Sequence, residues 1–164
     1  EILMRKRNSN EKNMAEVWMF PGGKIDAEDR GNTELERAAA GGLRELSEEA
    51  SISLEVESLT TFSHWLTPAG QKRRFATWFF IAVLPADASV QVDGEEMVDA
   101  VWINPRHAVS EHKAGRLRLP PPTVVSLLDV AESETTAHAK TLSPTHHCTL
   151  PQSSQRYTPG YPRR

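Results

Sequence analysis

The stretch RELSEEASI, residues 44–52, sets glutamates at 45, 48 and 49 directly behind an arginine. On an α-helix these positions fall at i, i+3 and i+4, so the three acids share one face. Like charges so spaced cost a helix roughly a few tenths of a kcal/mol per pair. A fold that keeps them must leave them in water or bring positive charge among them. The preceding residues sharpen the question, because Gly41 and Gly42 each cost a helix up to about 1 kcal/mol relative to alanine.

Around this segment the chain parses into alternating elements. EVWMFPG (16–22) reads as a strand halted by a Pro-Gly-Gly turn. ELERAAAGGLRELSEEA (34–50) reads as a helix with Thr33 as N-cap and Leu35, Leu43 and Leu46 toward the core. SLEVESLTTFSHWLT (53–67) and RRFATWFFIAVLP (74–85) are rich in β-formers, and the second has the hydrophobicity of a central strand. EMVDAVWINP (96–105) is a further strand, followed by helices over 105–117 and 121–133, each opened by proline. Alternation of strands and helices predicts a layered α/β domain over residues 1–132.

From residue 133 the chain turns to Ser, Thr, Pro and His with almost no apolar period. A segment of that kind buries too little surface to offset its ordering entropy, so 133–164 is expected to be a disordered tail. The first residues, Glu1 and the apolar ILM, suggest that the natural start lies upstream. A formal net charge of −3 gives no global bias toward nucleic acid or an anionic membrane. No apolar run reaches the ~18 residues of a membrane span. The one cysteine, Cys148, excludes an internal disulfide and suits a reducing compartment; the cytoplasm is the expectation.

The segment FPGGKIDAEDRGNTELERAAAGGLRELSEEASI (20–52) resembles the Nudix box, G-x5-E-x7-R-E-U-x-E-E-x-G-U with U aliphatic. Glu36, seven residues, then Arg44 and Glu45 fit that pattern, as do Leu46, Glu48, Glu49 and Ile52. Three departures stand out. Twelve residues separate Gly23 from Glu36 where the pattern has five, Ser51 occupies the pattern's glycine, and Gly41 and Gly42 precede the arginine. The resemblance implies a Nudix-type α/β/α sandwich with a mixed β-sheet and a loop-helix-loop catalytic box. It implies an enzyme, a hydrolase of diphosphate bonds that uses Mg²⁺, with Mn²⁺ as a substitute. Glu48 and Glu49 would be the main metal ligands, Glu45 a ligand or the group that activates water, and the Gly23 carbonyl would complete the shell. Arg44 would orient Glu48 or Glu49 and pair with Glu36.

The resemblance continues downstream. HWLTPAGQKRRFATWFFIAVLP (64–85), DGEEMVDAVWINPRHAV (93–109) and GRLRLPPPTVVSLL (115–128) are similar to the Nudix branch that includes a peroxisomal coenzyme A diphosphatase. Ala76 departs from that branch's aspartate, and no coenzyme A signature precedes FPGG. The implied substrate is a nucleoside diphosphate linked to another moiety, with coenzyme A or an acyl derivative to the fore. Lys72, Arg73 and Arg74 are candidates to hold a substrate phosphate. Glu95 or Glu96 could supply a further metal ligand or base. The expected partner is thus a small nucleotide-diphosphate molecule, with neither nucleic acid nor membrane involved and a homodimer left open. The alternative is a non-catalytic Nudix-like module that binds a nucleotide ligand; retention of all three glutamates favours the enzyme.

Overall fold

The computed structural model describes residues 1–10, 15–71, 73–84, 88, 90, 97–133, 139, 141 and 147–149. Lys72, Glu95 and Glu96 lie outside the described residues, as does most of the 133–164 tail.

The first strand, β1 (Ile2–Arg7), is central to a three-stranded sheet. It pairs antiparallel with β2 (Trp18–Met19) on one side and with β5 (Met97–Ile103) on the other. Strand alternation sends successive side chains to opposite faces. Met4 joins Ile103, Val109 and Leu127 in the core under α2 (Pro105–Lys113) and α3 (Pro121–Ala131). Leu3 turns the other way and packs with Ala50 and Ile52 at the end of α1 (Glu34–Ala50). Helices therefore cover both faces, which is the α/β/α layering expected. By the same alternation Arg5 is carried to the α1 side of the sheet, where it is 2% exposed.

A second three-stranded sheet runs in the order β4 (Ala76–Ile81), β3 (Thr60–Leu66), β6 (His147–Thr149). β3 is antiparallel to β4 and parallel to β6. β6 falls within the segment read as a tail, and Ala139 in the same segment is buried. Residues 74–85 were expected to form a central strand; among the described residues β4 instead lies at the sheet edge. Its apolar side chains are covered by other means. Phe79 meets Phe20 edge-on with ring centroids 6.1 Å apart, and Phe80 lies against Gly42 of α1.

α1 begins where the sequence indicated. Thr33 Oγ1 accepts from Glu36 N–H at 3.2 Å, and the Glu36 carboxylate accepts from the Thr33 N–H at 3.3 Å, a reciprocal capping box. The helix closes on Ser51 at φ 56°, the left-handed conformation for which glycine is the low-cost residue. Asn104 caps α2 ahead of Pro105, and that helix ends at Lys113, short of residue 117. No helix among the described residues is long and apolar enough to cross a membrane.

Candidate functional site

The FPGG turn meets the C-terminal half of α1, and the two are joined by two arginine-centred networks. In the first, Arg44 uses its whole guanidinium, which carries five N–H donors in a fixed fork. Nε donates to Asp29 Oδ1 at 3.1 Å, and Nη2 donates to Asp29 Oδ2 at 3.2 Å and to the Lys24 carbonyl at 3.0 Å. Nη1 reaches Glu45 Oε1 at 3.2 Å and Glu48 Oε2 at 2.9 Å. Asp26 adds a longer ion pair at 3.4 Å. The positive charge that the acidic face of α1 demands is thus supplied, in part, by its own preceding residue.

The second network is buried. Arg5 of β1 forms an ion pair with Glu49, which is 4% exposed. The same guanidinium donates to the Phe20 carbonyl at 3.2 Å and to the Gly22 carbonyl. The other Glu49 oxygen accepts from the Gly22 N–H at 3.2 Å. Both ends of Gly22, which sits at φ 144°, are therefore held by the Arg5–Glu49 pair. The next residue, Gly23, lies so close to Glu45 that a Cβ at this position would collide with its carboxylate. A larger residue here would force the Glu45 carboxylate to move away from the backbone.

These surroundings set the charge states. Hydrogen bonding from Arg44, aided by the Asp26 N–H, holds the Asp29 carboxyl below the usual carboxylate range. Asp29 in turn pushes the Arg44 guanidinium upward. Burial pushes the Glu45 carboxyl above the usual range, against the pull of Arg44.

The structure therefore brings Gly23, Arg44, Glu45 and Glu48 into one cluster and holds Glu49 beside it through Arg5. Glu36 does not pair with Arg44. Its Oε2 accepts from the Asn32 N–H at 2.6 Å and from Thr33 as part of the cap, while Asp29 takes the arginine. The expected Glu36–Arg44 pair is corrected on that point, and the expanded loop is the cause, since it returns Asp29 to the helix and leaves Glu36 at its first turn. Arg73 and Arg74 lie exposed before β4, where Arg74 Nε donates to the Thr67 carbonyl at 3.1 Å. Sequence reasoning missed Asp29 and Arg5. Counting five residues onward from Gly23 lands on Asp29, a signal hidden by counting back from Arg44. Nothing in local sequence marks Arg5, whose partner lies 44 positions away.

Hard carboxylate oxygens gathered at one guanidinium nitrogen, beside a backbone that leaves no room for a side chain, are the donor types a divalent cation prefers. Among the described residues no three acidic, histidine or cysteine side chains already surround a common point. Glu45 and Glu48 share Arg44 as their counter-charge, and each Glu49 oxygen keeps a lone pair beyond the bond it accepts. The residue set fits such an ion.

Comparison with known proteins gives a consistent result. The family model described as the NUDT19 Nudix domain matches residues 34–130. A Caenorhabditis elegans protein bearing the name nudix hydrolase 7 is 26% identical over 166 residues, covering 80% of this chain and 56% of the relative. The Xenopus laevis acyl-coenzyme A diphosphatase NUDT19 is 38% identical over 74 residues, covering 43% of this chain and 20% of that protein. The chain thus spans about half or less of the length of these relatives. The crystal structure of a Nudix hydrolase from Alicyclobacillus acidocaldarius superposes with a TM-score of 0.77 at 18% identity, covering 84% of this chain and 86% of that one.

Proposed function

The chain belongs to the Nudix hydrolase family, and from that premise we propose that it hydrolyses the diphosphate bond of a nucleoside diphosphate linked to another moiety. The observation that carries the reading is the use of one Arg44 nitrogen to draw Glu45 and Glu48 together beside Gly23. Glu45, Glu48, Glu49 and the Gly23 carbonyl would hold the cation, Mg²⁺ or in its place Mn²⁺. When bound, that ion offsets charge on the non-bridging phosphate oxygens and makes phosphorus a better electrophile.

The remaining work falls to side chains. Glu45, held at the metal-facing end of the cluster by Arg44, is placed to take the proton of the attacking water. Arg44 fixes the direction of both Glu45 and Glu48. Gly23 admits the close packing on which that arrangement depends.

Coenzyme A or an acyl derivative is the substrate we favour, with the cytoplasm as the compartment. The Xenopus relative's name, acyl-coenzyme A diphosphatase, supports this, as does the exposed pair Arg73 and Arg74, which could meet a 3′-phosphate. The test is a panel of coenzyme A, ADP-ribose, NADH, diadenosine polyphosphates and nucleotide sugars, each with Mg²⁺ and with chelator. Cation-dependent release of 3′,5′-ADP and 4′-phosphopantetheine from coenzyme A is expected. Brisk cleavage of another member alone would transfer the substrate assignment and leave the reaction class standing. A folded protein that cleaves none would favour a binding module.

A further inference from the structure

The box pattern names one acid as partner of its arginine, and in this chain the two ways of finding it disagree. Five residues separate Gly23 from Asp29, and seven separate Glu36 from Arg44. The loop between Asp29 and Glu36 is what a shorter box lacks. We infer that the expansion has divided one acid's work between two residues: Asp29 positions Arg44, and through it Glu45 and Glu48, while Glu36 serves only to start the helix. This rests on the proposed function for its catalytic consequence, but not for its geometry.

Three independent features support the division. Asp29 is 7% exposed and grips Arg44 through two parallel bonds, the planar pairing with the most orientational control. Its own carboxylate is fixed by the Asp26 N–H at 2.7 Å. Nε and Nη2 being engaged by Asp29 and Lys24, Nη1 is left to meet the two glutamates, so the choice of partner on one side of the fork determines what the other side does. Glu36 is exposed and its bonded oxygen faces the backbone at Asn32 and Thr33.

Gly41 supplies the third feature and resolves an oddity of the sequence. A Cβ at this mid-helix position would lie 2.8 Å from Asp29 Oδ2. The helix gives up a good former there so that the loop carboxylate can close against it. Gly41→Ala should therefore displace the Asp29 carboxylate from its place against the helix without removing any charge.

The experiment compares wild type, Asp29→Asn, Gly41→Ala and Glu36→Gln. Two quantities are read: solvent-exchange protection of the Arg44 Nε–H by nitrogen-15 NMR, and kcat and KM on the best panel substrate at saturating Mg²⁺. Asp29→Asn and Gly41→Ala should both weaken the Nε–H protection, since Asn keeps one acceptor but loses the second parallel bond and the charge. Both should lower kcat by about 10- to 100-fold, the usual effect of losing a group that orients a ligand, with KM changed less than about threefold. Glu36→Gln should keep the protected signal, kcat within about twofold of wild type and most of its Tm, because glutamine preserves the reciprocal cap. Protection at the full wild-type level in Asp29→Asn, or lost in Glu36→Gln, would overturn the inference. A kcat loss in Glu36→Gln as large as in Asp29→Asn would do so as well. If wild type cleaves nothing, the proposed function fails, and the NMR arm still decides which acid holds Arg44.

Discussion

Arg5 of the central strand and Glu49 of α1 form an ion pair in which both side chains are almost wholly buried, and between them they hold both ends of Gly22. Removing one member of such a pair leaves the other charged and dry. Arg5→Met should lower stability by about 3–5 kcal/mol, and Arg5→Met with Glu49→Leu should recover most of that. Chemical denaturation of the three proteins checks this. A single variant as stable as wild type would mean that the pair does not hold the loop. By the same reasoning Glu49→Gln should cost stability together with activity, because Arg5 would lose its counter-charge.

The Glu45 carboxyl is raised by burial, so folding favours its protonated form. That contribution is fully present below the unfolded value of about 4.3 and is lost as pH rises through the folded value. At neutral pH the ionised group therefore destabilises the native state. Glu45→Gln should melt above wild type near pH 7, and the difference should shrink toward zero near pH 4. Tm of the metal-free protein, measured across that interval with chelator present, tests it. An advantage that grows on acidification would reverse the assignment.

Much of this was written locally in the chain, and the exceptions share a cause. The Thr33 cap, the acidic face of α1 and the FPGG turn all depend on neighbours within a few residues, so spacing alone revealed them. β1 was obscured because its second half reads Arg-Lys-Arg, and a buried arginine is legible only when its distant partner is known. Residues 74–85 suggested a central strand because hydrophobicity reports whether faces are covered. In β4, which lies at a sheet edge among the described residues, that cover includes Phe20 and α1, so an edge strand can be as apolar as one in the middle. Asp29 was hidden by an insertion that shifts one end of the box against the other.

Arg74 is tethered to the Thr67 carbonyl by Nε, which leaves its terminal nitrogens available to a phosphate. If coenzyme A is the substrate, Arg74→Ala should raise its KM by one to two orders of magnitude, about 1.5–3 kcal/mol for a lost charge-assisted contact. Dephospho-coenzyme A, which lacks the 3′-phosphate, should be affected much less. Steady-state kinetics on the two substrates separates the outcomes, and equal losses would remove Arg74 from that role.

The most direct test of the central claim is turnover by Glu45→Gln and Glu48→Gln at saturating Mg²⁺, on whichever diphosphate wild type cleaves best. If these carboxylates activate water and hold the cation beside Gly23, each variant should fold and lose about two or more orders of magnitude in kcat. Turnover near that of wild type in both would contradict the account.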